Sequence, residues 1–80
     1  MLHHMRYRER HVEPDGAIVE MRIASDRSWR LRYGRPGAWL VRYENGVRTL
    51  RGRARRYEFR SVEQLRYDFE RDVAHALRQG

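Results

Sequence analysis

Hydrophobic and polar residues alternate along most of the first sixty positions, as they do in strands that bury one face. The first two alternating segments are residues 7–12 and residues 17–24, and the Pro14-Asp15-Gly16 sequence between them is a strong turn signal. In the second segment, the residues that share the core-facing parity are Val19, Met21 and Ile23. The pattern therefore predicts a hairpin at the start of the chain.

Two further strands are predicted in the centre of the chain, at residues 28–33 and 38–43, with a break at residues 34–37 that contains two glycines and a proline. The core face of the first strand is predicted to carry Trp29, Leu31 and Tyr33. The core face of the second is predicted to carry Trp39, Val41 and Tyr43, opposite Leu40 and Arg42. Asn45-Gly46 follows as the signature of a tight hairpin.

The next strand begins at Val47, and its alternation is interrupted. Leu50 and Ala54 share one parity, whereas Tyr57 and Phe59 share the other. The pattern slips between positions 52 and 56, so we expect a bulge or a short loop there.

The last twenty residues change to helical spacing. Ser61 and Gln64 have the spacing of a capping box, which predicts that a helix begins at Ser61, and Gly80 is positioned as its C-cap. The apolar stripe of this helix consists of Val62, Leu65, Phe69, Val73, Ala76 and Leu77.

Together these elements predict an α+β domain, in which an antiparallel meander of four or five strands is covered on one face by one C-terminal helix. A chain of 80 residues buries about 60% of its unfolded surface, so we expect one domain over residues 1–80 with a single thin core. Residues 1–5 are expected to be a loose N-terminal tail. The face of the sheet without a helix is expected to carry arginines.

The positive charge is concentrated in the middle of the chain. Residues 21–60 contain twelve Arg against three acidic residues, whereas residues 1–20 and 61–80 each contain three Arg against four. All 18 basic residues are Arg, which a GC-rich genome alone can produce, but codon usage does not explain their clustering. A patch of one sign attracts a polyanion, and the attraction weakens as salt rises.

The arginines expected to bind phosphates lie on the predicted central strands and on the interrupted strand that follows them. They are Arg30, Arg32, Arg42, Arg48, Arg51, Arg53, Arg55 and Arg56. Guanidinium groups bind phosphate oxygens as bidentate forks, so this set predicts an interface for nucleic acid or for an acidic surface of a nucleoprotein complex. The alternative is a solvated surface in which Glu44, Glu58 and nearby acids neutralise the arginines.

The aromatic residues among these arginines offer two interpretations. They provide base-stacking surfaces if they are exposed, but most of them share the parity of the core face, which favours burial. Tyr7 and Tyr67 are the two aromatic residues expected to be exposed.

The sequence offers little for catalysis. His11, near Glu13 and Asp15, is the one weak candidate for a general acid or base in metal-independent RNA cleavage, and His75 is weaker still. His3, His4 and His11 lack the spacing of a metal site, and there is no phosphate loop, nucleophile elbow or dinucleotide motif. We therefore expect no catalytic residues, metal or cofactor.

The chain contains no cysteine and no apolar stretch of about 20 residues. These features predict a cytoplasmic protein without disulfides, signal peptide or membrane span. We expect it to be a monomer or a homodimer.

Four segments of the chain resemble the TumE family, small proteins that form the toxin component of bacterial toxin–antitoxin pairs. They occur in the family's order between about Arg6 and about Val73. The segments are PDGAIVEM at 14–21, YGRPG at 33–37, LVRYENG at 40–46 and YEFRSVEQLRYDFERDV at 57–73. The resemblance departs at residues 46–56, where GVRTLRGRARR stands in place of a stretch similar to GKGDHRH. If that stretch carries the family's catalytic or metal-binding residues, the resemblance implies a shared scaffold whose chemistry has been replaced by arginines.

Two functions follow from these observations. The first is a small non-catalytic binding protein of a phage or other mobile element, which inhibits a nucleic-acid-targeting defence system in the manner of anti-CRISPR proteins. The second is a TumE-like toxin ribonuclease with His11 or Glu44 as the base and arginines stabilising the transition state. A protein partner that pairs with an exposed strand edge is a third possibility.

Overall fold

A computed structural model describes residues 5–26 and 28–79, which form one six-stranded antiparallel sheet and one α-helix. The elements are β1 (Met5–Val12), β2 (Ile18–Ala24), β3 (Trp29–Arg35), β4 (Ala38–Glu44), β5 (Val47–Leu50), β6 (Arg53–Arg56) and α1 (Val62–Gln79). The strands lie in the sheet in chain order, so β1 and β6 are its two edges. The α+β class and the meander are confirmed, but the prediction of four or five strands is wrong.

The additional strand arises at a turn that the alternation pattern does not reveal. Arg51 and Gly52 both have positive φ, at 48° and 85°, as Asn45 and Gly46 do in the preceding hairpin, at 41° and 92°. Positive φ at both central residues defines the type I′ turn, which favours hairpins because its twist matches that of the strands. Residues 47–56 therefore form the β5–β6 hairpin instead of one strand with a bulge or loop between positions 52 and 56.

A β-bulge interrupts the pairing of β3 with β4. Tyr33 pairs with Val41 and Gly34 pairs with Trp39, which leaves Leu40 as the extra residue on β4. Gly34 has φ +143°, and a Cβ at that position would lie 2.9 Å from the backbone nitrogen of Leu40. The bulge therefore requires glycine at position 34.

The bulge exchanges the orientations of two side chains. Leu40 packs against the core, whereas Trp39 lies on the face opposite the helix, where the Arg32 guanidinium is 4.3 Å from the centre of its ring. The prediction that Trp39 faces the core with Leu40 opposite is wrong, because one extra residue reverses the parity of a strand.

The helix begins as its sequence predicts. The Ser61 hydroxyl accepts a hydrogen bond from the backbone N–H of Gln64 at 3.0 Å, while the Gln64 side chain donates to Asp68 and does not complete the capping box. Leu77, assigned to the apolar stripe, is 55% exposed, and Asp72 is buried instead.

The core lies between the helix and one face of the sheet. Its largest fully buried side chains are Tyr43, Phe69, Met21, Leu31, Leu65 and Val41. Tyr67 is exposed as predicted, whereas Tyr7 packs against the core. Phe59 is 40% exposed and stacks on the buried Trp29.

β1 begins at Met5, the last residue of the predicted tail. Residues 1–4, with His3 and His4, lie outside the described residues, as does the predicted C-cap Gly80. The single helix within the described part of the chain is too polar to cross a membrane.

Candidate nucleic-acid interface

The structure divides the eight predicted arginines between the two sides of the sheet. Those on the side away from the helix, which we call the open face, are Arg30, Arg32, Arg42 and Arg56. Those on the helix side are Arg48, Arg51, Arg53 and Arg55. The unrecognised turn at Arg51-Gly52 hides the side on which the arginines of β6 lie, whereas Arg48 is placed by the Asn45-Gly46 hairpin, which pairs it with the core residue Tyr43.

Acidic residues accompany most of the predicted arginines on the open face. Arg32 donates to Glu20 at 2.6 Å, and Arg30 lies 3.8 Å from the same carboxylate. Arg42 donates to Glu44 at 3.2 Å. These two carboxylates are shared among three of the four predicted arginines, so the alternative of acid-paired arginines holds only in part on this face.

On the helix side, the arginines surround a groove between the β5–β6 hairpin and the C-terminal half of α1, which we call the arginine groove. It has a volume of about 400 Å³. Its lining residues are Leu40, Val41, Arg48, Leu50, Arg51, Arg53, Arg55, Asp72, His75 and Ala76.

Arg48 is fixed at the wall of the groove by a buried carboxylate. Its Nε and Nη2 donate to the two oxygens of Asp72 at 2.9 and 3.2 Å, and the Tyr43 hydroxyl donates to the same carboxylate. Asp72 is only 8% exposed. Burial and the bond to Asp72 raise the pKa of Tyr43. Arg48 thus links the sheet to the helix.

A second carboxylate holds the segment that follows β6. The Tyr57 hydroxyl donates to Asp68 at 2.5 Å, and the Tyr57 N–H donates to the backbone oxygen of Gly46 at 2.8 Å. Burial and the bond to Asp68 raise the pKa of Tyr57. The β5–β6 hairpin is therefore tied to the helix on both sides of its arginines.

Asp68 and Asp72 are not among the site residues predicted from the sequence. The signal was present, because Asp72 occupies an apolar position of the helical stripe, seven residues after Leu65 and three after Phe69. A carboxylate on an apolar stripe needs a partner, and a tyrosine or arginine of the facing sheet is the natural one.

The other arginines of the groove are free to bind an external anion. Arg51 donates only to the backbone oxygen of Ala76, at 3.5 Å. Arg53 and Arg55 are exposed and contact no carboxylate in the described part of the chain. Arg55 also pairs directly across the strands with Arg48, and like charges in that position repel each other.

His11 lies far from this groove. It is exposed on the edge strand β1, and its Nε2 is 3.4 Å from Glu9. Because β1 and β5 are separated by three strands, about 19 Å across the sheet lies between the strand of His11 and the strand of Arg48. Glu44 lies on the open face beside Arg42, whereas His75 does line the groove. The structure therefore does not bring His11 or Glu44 together with the arginines of the hairpin.

Within residues 5–26 and 28–79, no three histidine, aspartate or glutamate side chains are grouped closely enough to hold a metal ion. Comparison of the chain with protein-family models, with curated proteins and with solved structures finds no match. The TumE resemblance stays a prediction.

Proposed function

We propose that this protein binds nucleic acid without cleaving it, through the arginine groove. The observation that carries this proposal is the pair Arg53 and Arg55, two exposed guanidinium groups on one side of an edge strand with no carboxylate partner in the described residues. Groups of this kind bind phosphate oxygens as charge-assisted forks.

The charge balance of the groove supports an anionic ligand. Four guanidinium groups line it together with one carboxylate, and Asp72 is already bound to Arg48 and Tyr43. The repulsion between Arg48 and Arg55 decreases when an anion lies between them. A phosphate chain bound to the groove would therefore offset this repulsion.

Contacts with the helix also hold the backbone of the hairpin in a defined position. Arg48 is held by Asp72, and the segment after β6 is held by Tyr57 and Asp68. Side chains on an ordered strand lose less conformational freedom on binding than those on a loose tail. This arrangement favours binding at a defined site.

A protein that binds nucleic acid without cleaving it can act by blocking access to the bound strand. A small basic domain that covers phosphates prevents a second protein from reaching them. We propose that its role is to inhibit a nucleic-acid-targeting defence complex, as a product of a phage or other mobile element.

The chain provides a matched test of the interface. Arg53→Ala with Arg55→Ala removes two exposed arginines from edge strand β6, whereas Arg8→Ala with Arg10→Ala removes two from the opposite edge strand β1. Fluorescence anisotropy with a labelled oligonucleotide should give at least about tenfold weaker binding for the β6 variant and little change for the β1 variant. Equal losses in the two variants would contradict a defined interface.

The same preparation tests the toxin ribonuclease. Intact oligonucleotide after incubation with the protein supports binding without cleavage. Cleavage that the His11→Ala substitution abolishes, together with growth arrest on expression, would replace this proposal with the toxin function.

A further inference from the structure

We infer that the arginine groove accommodates an unpaired base of single-stranded nucleic acid, with the adjoining phosphates bound by Arg53 and Arg55. This inference rests on the proposed function and names the form of nucleic acid that the site selects. Two parts of the groove support this inference: an apolar floor formed by Leu40, Leu50 and Ala76, and a basic rim formed by Arg53 and Arg55.

The floor of the groove is made of apolar side chains. Leu40 reaches it because of the β4 bulge, Leu50 lies beside it on β5, and Ala76 faces them from α1. Leu40 and Leu50 are partly exposed although they pack against the core. A flat aromatic base that covers them removes apolar surface from water, which a phosphate alone does not.

The size of the groove fits one nucleotide better than a duplex. Its volume of about 400 Å³ lies at the lower end of the range for small-molecule sites. A base within a duplex is stacked and paired, so it cannot leave the helix without a cost of a few kcal/mol. A single strand meets no such cost.

The rim matches a phosphate chain that continues beyond the base. Arg53 and Arg55 are two residues apart on one side of β6, so their Cα atoms are about 6.6 Å apart along the strand. They therefore contact successive positions of one backbone. Arg51 and His75 also line the groove, and an arginine guanidinium stacks well on a base.

An acidic peptide can pair with the arginines of the rim, but it cannot cover the apolar floor. Its carboxylates can pair with Arg53 and Arg55, yet an acidic side chain has little apolar surface to cover Leu40 and Leu50. Single-stranded nucleic acid provides charge and an apolar face in the same repeating unit.

Three probes and two substitutions test this inference. The probes are a labelled oligothymidylate of about 12 nucleotides, a duplex of the same length and inorganic polyphosphate. Leu50→Thr makes the floor of the groove polar, and Val47→Thr makes a similar change on the opposite face of the same strand. Circular dichroism establishes that both variants are folded.

We expect the single strand to bind at least tenfold more tightly than the duplex at the same salt concentration. Leu50→Thr should weaken single-strand binding at least fivefold and leave polyphosphate binding unchanged, while Val47→Thr should change neither. Duplex binding as tight as single-strand binding, or an equal effect of Leu50→Thr on oligothymidylate and polyphosphate, would overturn the inference but preserve the proposed function. If none of the three probes binds, the proposed function is overturned as well.

Discussion

Asp72 connects the stability of the fold to the geometry of the groove. It accepts hydrogen bonds from Tyr43 in the core and from Arg48 at the wall of the groove, and it is almost completely buried. A buried carboxylate is tolerated only when donors surround it, and removal of the charge leaves those donors without a full partner. The position of Arg48 and the stability of the sheet–helix packing therefore depend on the same residue.

Asp72→Asn should lower the free energy of unfolding by about 2 kcal/mol, because Arg48 and Tyr43 lose a charged acceptor. The value is below that of a fully buried ion pair because the Arg48 side chain is 27% exposed. Urea unfolding followed by circular dichroism measures the change. Glu63→Gln, an exposed acid on the same helix, is the control and should change stability by less than about 0.5 kcal/mol. An Asp72→Asn variant as stable as the original chain would show that the hydrogen bonds from Tyr43 and Arg48 to Asp72 do not stabilise the fold.

The two tyrosine–carboxylate bonds also predict a loss of stability in alkali. The pKa values of Tyr43 and Tyr57 are both raised above the ordinary value of 10.0 by burial and by their carboxylate partners. The folded state retains the phenolic protons more strongly than the unfolded state, so their contribution is complete below about pH 10 and is lost as the pH rises above it.

We expect the free energy of unfolding to decrease above pH 10 by up to about 1.4 kcal/mol per pH unit for each of these two tyrosines. Urea unfolding at about pH 9 and about pH 11 measures this decrease. Tyr43→Phe should reduce the slope. A free energy that is constant over this interval would contradict the assignment of both phenols as donors to carboxylates.

At the scale of elements, the sequence predicts the strands that alternate regularly and the turns that contain the usual turn residues. The first hairpin, the central strands, the Asn45-Gly46 turn and the capped helix all follow from such signals. The β5–β6 turn does not, because arginine at position 51 is an unusual residue for positive φ. The bulge at Leu40 is hidden for a related reason, since Trp39 and Leu40 are both hydrophobic and either parity is plausible.

Gly34→Ala should test the bulge. A Cβ at position 34 would lie 2.8 Å from the backbone oxygen of Ala38, and φ is positive, so we expect a loss of about 1–3 kcal/mol in the free energy of unfolding. Gly37→Ala, in the turn that follows, has positive φ but meets no atom within 4 Å, and it should cost about 1 kcal/mol. Thermal or urea unfolding of both variants measures the difference. Equal losses would indicate that the close approach of the strands at Gly34 is not required.

At the scale of the whole molecule, the sequence locates the basic segment but not the side of the sheet on which its charges act. The concentration of arginine in residues 21–60 is visible in a simple count. Which arginines are neutralised depends on cross-strand register, which places Glu20 next to Arg32 and leaves Arg53 and Arg55 without acids in the described residues. The folded chain thus separates arginines that contact acids, such as Arg32 and Arg42 on the open face, from Arg53 and Arg55 on the helix side, which contact none in the described residues.

The most direct test of this account is the salt dependence of oligonucleotide binding. For a single strand, each phosphate contact contributes about 0.7 to the slope of log K against log salt concentration. We predict that Arg53→Ala with Arg55→Ala reduces the magnitude of this slope by about 1.4, because two contacts are lost, and that Arg8→Ala with Arg10→Ala leaves it unchanged. An unchanged slope in the β6 variant would contradict the assignment of the arginine groove as the site that binds phosphate.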